Sequence, residues 1–300
     1  MKQYKSPNDL LEYMISKGVN VLDKNKALDK IKKYSYYSIV NSYKDIFKTS
    51  QDTYIEDVSF DEIYALYEFD KNIRLIFLKY ILEIETIIKS LLAETISSRY
   101  GVENYLVLKN FDNRVNQLKI QESIDKIKEE INKQNGKHEA VSHYVTKYGF
   151  VPPFVLVKIL TLGELSRLYS ILKQKDRQSI SKEFKISDKL LKQILKNMTM
   201  VRNICAHNDR LFSFHSKFLI TFKIIDKKYI NKDKSTNIYM IFKSMGVLLD
   251  ENKRKEFEEL IINEIKKYKI HIILMISTQK TLEALSRQEF NVSYIELFLI

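Results

Sequence analysis

Three prolines, six glycines, one cysteine and no tryptophan occur in 300 residues. A β-sandwich or barrel turns about every ten residues and needs more proline and glycine than this. Collagen-like, disordered and disulfide-stapled classes are excluded as well, the last because Cys205 has no second cysteine to pair with. No apolar run approaches the roughly 20 residues of a membrane span. The most apolar stretch, Ile270 to Ile276, contains His271. The opening MKQYKSPNDLLEYM carries charges throughout and does not read as a signal peptide. HExxH and cysteine pairs are missing and no aspartate cluster stands out, so neither a metal nor a cofactor is expected. What remains is a largely helical cytoplasmic protein with no membrane segment.

Charge of one sign is plentiful. Fifty Lys+Arg against 38 Asp+Glu give +12, and a pI near 9.3. Such an excess points to a polyanion: RNA, DNA or an acidic membrane surface. Only nine of the fifty are arginine, however, and an AT-rich coding sequence yields the same lysine surplus without any ligand.

Hydrophobic spacing supplies the architecture. Ser6-Pro7 is a helix start, followed by Leu10, Leu11, Met14 and Ile15 and closed by Gly18. A second helix from about Asp23 runs into the aromatic patch Tyr34, Tyr36, Tyr37. Apolar residues then recur every three or four positions from Phe60 to Tyr100, a long amphipathic helix with a possible break at Asp70. Glu83 and Glu85 sit in its most apolar portion and need partners, for which Arg74 and Lys89 are the candidates. Residues 112–135 read as a charged, solvated stretch. Pro152-Pro153 opens another helix that carries Phe154, Val157, Leu160, Leu165 and Leu168 to Leu172, and Ser187-Asp188 a further one that runs towards Cys205. A linker at 226–237, helices at about 238–249 and 251–268, and a hydrophobic tail complete an all-α reading.

One segment concentrates chemistry. Within Val201 to Leu211 stand Arg202, Asn203, His207, Asp209 and Arg210. On a helix Asn203 and His207 face the same way, and Arg202 lies about 140° from His207. RNA cleavage by the ribose 2′-OH needs a base, an acid and a donor for the phosphorane oxygens. Histidine, with an ordinary pKa near 6.5, serves either proton role, and arginine supplies the permanently charged fork. The spacing alone is also met by a helix-end cation pair with no chemistry.

The segment RNICAHNDRL resembles the R-N-x-x-A-H-x-x-R-L segment of Abi-like abortive-infection proteins (AbiD/AbiF type), of the HEPN superfamily. Leu10 to Phe47, Phe60 to Tyr100, and Pro152-Pro153-Phe154 through LTLGELSRLYSILK are similar to further segments of that family in the same order. The likeness covers about residues 4–215. It implies an all-α, HEPN-like helical bundle over 51–220, with an N-terminal helical segment at 1–50 and a helical C-terminal extension at 221–300. It implies anti-phage defence by metal-independent endoribonuclease action, with Arg202 and His207 catalytic and Asn203 in support. A small noncoding RNA, a target RNA and a homodimer are the implied partners, the last because HEPN nucleases pair two motifs. Members often carry Phe-Trp where this chain has Phe154-Val155.

For RNA contact, Lys32 and Lys33 beside Tyr36 and Tyr37 mix phosphate binding with stacking, and Arg210 adds a cation. The same pattern is also a tyrosine face packed on the core under solvated lysines. Lys223, Lys227, Lys228, Lys232 and Lys234 offer a second basic surface. His138, His143 and His215 read as surface residues and Cys205 as a small apolar one. A non-catalytic RNA-binding module of a defence or toxin-antitoxin complex is the competing function.

Overall fold

The computed structural model describes residues 3–49, 51, 53–221 and 235–279, with side chains as far as Lys269. The lysines at 223–234, the imidazole of His271 and the tail beyond 279 lie outside the described residues. The protein is predominantly α-helical, as the proline and glycine poverty requires. Eleven α-helices are described: α1 Pro7–Ser16, α2 Lys24–Tyr34, α3 Phe60–Tyr100, α4 Gln117–Gln134, α5 Glu139–Tyr148, α6 Pro153–Ile159, α7 Leu162–Ile171, α8 Gln174–Lys182, α9 Asp188–His207, α10 Ile238–Gly246 and α11 Glu251–Gln279. The described strands, β1 His215–Ser216 and β2 Thr236–Asn237, form one short antiparallel pair. No described helix is long and apolar enough to cross a membrane.

Helix starts follow capping chemistry. Ser6 with Asp9, Ser59 with Glu62 and Thr161 with Glu164 each form a capping box, satisfying otherwise orphaned N–H groups. Gly101, at φ +81°, ends α3 in the left-handed conformation that glycine adopts without strain.

The chain divides into two compact units, and α3, α9 and α11 each contribute to both. The first comprises the chain up to Leu78, Asn203–Phe214 and the chain from Lys255. Its core gathers Met14, Ile31, Ile39, Phe47, Ile63 and Phe77. Helix α11 lies on α3 through Tyr268 against Phe69 (ring centroids 4.8 Å apart) and Phe257 against Phe77 (5.5 Å), flanked by an Asn72–Glu264 hydrogen bond of 2.7 Å.

The second unit comprises Lys79–Arg202 and His215–Arg254. Helix α4 corrects the expectation of a solvated stretch after residue 112: Ile120, Ile124 and Ile127 form a buried stripe beneath the charges. Tyr169, Leu191, Ile194, Leu195 and Met198 fill the centre. Gly163 lets α7 approach α9 closely, since a Cβ there would stand 3.3 Å from the Thr199 methyl. The start of α9 is held electrostatically: Arg177 bridges Asp112 (3.3 Å) and Asp188 (3.2 Å), while Tyr169 donates its hydroxyl to the Asp188 carbonyl at 3.2 Å. Glu85 pairs with Lys89 at 2.8 Å, as its spacing suggests, whereas Glu83 pairs with Lys253 rather than Arg74.

Candidate functional site

Helix α9 opens on Ser187, whose hydroxyl accepts from the Leu190 N–H at 3.2 Å, and runs unbroken to His207. Asn208 then takes φ +59°, and Asp209 N–H donates back to the Ile204 carbonyl at 3.1 Å. That is a Schellman closure, with asparagine at the left-handed position that most L-residues avoid. The motif therefore occupies the last two turns of a well-terminated helix. Asn203 and His207 are exposed, Arg202 is half-buried, and Cys205 faces inward. Burial pushes the Cys205 thiol up to about 12, so it stays protonated and inert. Among the described residues no hydrogen bond or ion pair occupies the side chain of Arg202, Asn203 or His207. No hydrogen bond joins Asn203 to His207, so Asn203 does not orient the imidazole in this arrangement.

The segment after the helix is fixed from beneath. Asp70 lies in the first third of α3, fully buried. Its carboxylate accepts from Leu211 N–H (3.1 Å), Phe212 N–H (2.7 Å), the Tyr43 hydroxyl (2.7 Å) and the Arg74 guanidinium. Burial pushes this carboxyl up from the usual carboxylate range, and Arg74, Tyr43 and the two backbone donors pull it back. Arg74 also donates to the Asp209 carbonyl at 3.3 Å, and the Tyr43 ring lies nearly parallel to Phe212 with centroids 6.2 Å apart. Helix α3 accordingly continues through Asp70 without the break its sequence suggests. Four donors make the buried charge tolerable there.

The RNA-contact candidates separate. Lys32 and Lys33 are exposed and Tyr37 is 73% exposed, whereas Tyr36 is 8% exposed and sits in the core. Burial pushes the Tyr36 phenol up to about 12. Neighbouring Tyr34 packs against Tyr64 and Tyr67 at 6.3 and 5.8 Å. Of the four, Lys32, Lys33 and Tyr37 are open to a ligand in this packing. Arg210 is half-buried and donates to the Ser42 carbonyl at 2.9 Å, a strut across the segment after the motif. The supporting roles of Asp70, Tyr43 and Arg74 go unnoticed when the sequence is read alone. The signal available was an Asp and an Arg four residues apart inside an apolar stripe, a pair that burial obliges to interact.

These features define an all-α protein whose α9 carries Arg202, Asn203 and His207 in its last two turns and is followed by a segment pinned by buried charge. The chain belongs to the Abi-like protein family, whose model matches residues 29–213, from within α2 to just past the pinned segment. That membership associates it with abortive infection. No curated protein and no solved structure matches the chain.

Proposed function

We propose that this protein is an anti-phage effector that cleaves RNA without a metal, using the HEPN-type arrangement of Arg202, Asn203 and His207. The reading is carried by one observation: three side chains with transphosphorylation chemistry stand unpartnered, among the described residues, at the capped end of α9. In the reaction the ribose 2′-oxygen attacks its own phosphorus. The 2′-O–P bond forms and the P–O5′ bond breaks, leaving a 2′,3′-cyclic phosphate and a 5′-hydroxyl. One imidazole takes the 2′-OH proton, and a second group returns a proton to the departing 5′-oxygen. Arg202 offsets the charge that grows on the phosphorane oxygens, with Asn203 donating alongside it.

A single chain supplies one such motif, so acid and base are separate only if two copies combine. A homodimer is therefore part of the proposal. The RNA partners are a small noncoding RNA that inhibits or guides the enzyme and a target RNA, with Lys32, Lys33 and Tyr37 as first contacts. The test is cleavage of single-stranded RNA in EDTA, with the product ends analysed. Wild type yields 2′,3′-cyclic phosphate ends, and His207→Ala, checked for folding by circular dichroism, loses about 10²-fold or more of the rate. RNA binding with no cleavage of any RNA offered, and undiminished defence in the His207→Ala strain, would establish the non-catalytic binding module instead.

A further inference from the structure

The second unit holds a cavity of about 670 Å³ between α4, α7 and α9, lined by Lys126, Arg167, Lys192, Lys196, Thr199 and Phe218 among others. Its charge is one-sided. The wall contains a single carboxylate, Glu164, which is consumed by the Thr161 backbone N–H at 2.8 Å and the Thr161 hydroxyl at 2.7 Å. Among the described residues none of the four cations has a carboxylate within ion-pair distance. Partial burial, with Arg177 and Lys196 adding to it and Asp112 and Asp188 opposing, pulls the Lys192 ammonium below the usual lysine range. The groove thus gathers like charges that repel one another, an arrangement that a bound polyanion relieves. Lys196 sits 3.5 Å from the centroid of the Phe218 ring, so a cation and an aromatic face share the rim.

Hydroxyls line the same wall. Thr199 and Ser170 donate their hydroxyl protons to the Leu195 and Arg167 carbonyls of their own helices, at 2.9 and 2.7 Å, which leaves their oxygens, with that of Ser166, as neutral polar groups between the charges. On α9, Lys192, Lys196 and Thr199 follow a four-then-three spacing along one stripe. Cations, hydroxyls and one ring along an open groove are the parts that a single-stranded nucleic acid backbone uses: phosphates meet charge and a base meets the ring. An acidic peptide would satisfy the cations but would bring no base to the Phe218 ring beside Lys196. The volume falls in the range of roughly 300–1,000 Å³ typical of ligand sites, which suits a few nucleotides of one strand rather than a duplex.

We infer that this groove is the backbone-binding track for single-stranded RNA, in which Lys192, Lys196, Arg167 and Lys126 hold consecutive phosphates. The inference rests on RNA being the ligand of this protein. It assigns the grip to residues other than Lys32, Lys33 and Tyr37.

The test measures binding of a fluorescein-labelled 20-nucleotide single-stranded RNA by anisotropy across a salt series. It uses the full chain carrying His207→Ala, so that no cleavage intervenes. Adding Lys192→Ala and Lys196→Ala weakens binding at least tenfold and lowers the slope of log affinity against log salt by about 1.4, as expected for two lost phosphate contacts on a single strand. The control pair Lys24→Ala and Lys26→Ala removes the same charge from α2 and leaves slope and affinity within about twofold. Unchanged affinity and slope in the groove pair would overturn the inference, whatever the cleavage assay gives. Equal capture of a polyglutamate of matched length would overturn RNA as the occupant. The cleavage reading is judged separately by wild-type product ends, so either proposal can fall without the other.

Discussion

Asp70 illustrates how one buried residue fixes a backbone segment far from it in the sequence. A carboxylate with no exposed surface is costly to bury, and removing the partner of a buried pair leaves an uncompensated charge worth about 3–5 kcal/mol. Here the partner is Arg74, four residues along α3, and two further donors are the backbone N–H groups of Leu211 and Phe212. Asp70→Ala strands the guanidinium and both N–H groups together. We expect a loss of about 3–5 kcal/mol in urea unfolding, with proteolysis after Arg210 at concentrations of trypsin that leave the wild type intact. A loss under about 1 kcal/mol would mean that the carboxylate does not hold the segment. The Asp70–Arg74 spacing is visible in the sequence, but its purpose is not, because Leu211 is 141 residues away and no local pattern announces that contact.

Among the elements, α9 bears the candidate site, and its two ends are fixed by different means. Its C-terminus closes through Asn208. Its N-terminus depends on the Asp112–Arg177–Asp188 bridge, within a carboxylate-guanidinium cluster that also includes Arg114. The Asp112 carboxyl is held well below the usual carboxylate range, chiefly by hydrogen bonds from Arg114, with burial opposing and Arg177 adding to the effect. A depressed folded-state pKa contributes stability that is fully present above the unfolded value of about 3.9 and is lost as pH falls below it. Asp112→Asn therefore unfolds about 1–3 kcal/mol more easily than wild type from pH 7 down to about 4, and the gap narrows below that. Chemical denaturation at pH 7, 5, 4 and 3 reads this directly, and a gap that widens in acid would contradict the assignment. The helices themselves are legible where periodicity is long: α3 and α9 lie close to their expected positions, whereas the proline-started helix expected to run to Leu172 breaks at Leu160, where the backbone turns extended and the Thr161–Glu164 capping box starts α7 afresh. Helix α4 is masked in the sequence because its charges outnumber Ile120, Ile124 and Ile127, although three isoleucines at positions i, i+4 and i+7 are enough to seat a helix. The groove is illegible for a different reason. Its four cations come from three helices, and in a chain with 50 Lys+Arg no local count singles them out.

At the scale of the whole molecule, one question arises from there being a single R-N-x-x-x-H motif per chain. If one imidazole acts as base and another as acid, cleavage requires His207 from both copies of a dimer, and a pair with one intact copy is inactive. If each chain cleaves alone, a mixed pair keeps half its activity. Co-expression of wild type with a differently tagged His207→Ala chain at equal levels separates the two. With random pairing about one dimer in four contains two intact motifs, so the composite model gives about a quarter of the wild-type rate per total protein, against about half for independent sites. The rate is measured as formation of 2′,3′-cyclic phosphate ends, and the tags report the pairing ratio by sequential affinity purification. Isolated mixed dimers sharpen the contrast, because their rate is near zero in the first case and about half in the second. A value near half, with dimers present, would return both proton transfers to a single chain. One imidazole would then have to be joined by a second acid or base from the same copy, and the nearest titratable candidate on the motif itself, Asp209, would be the next residue to substitute.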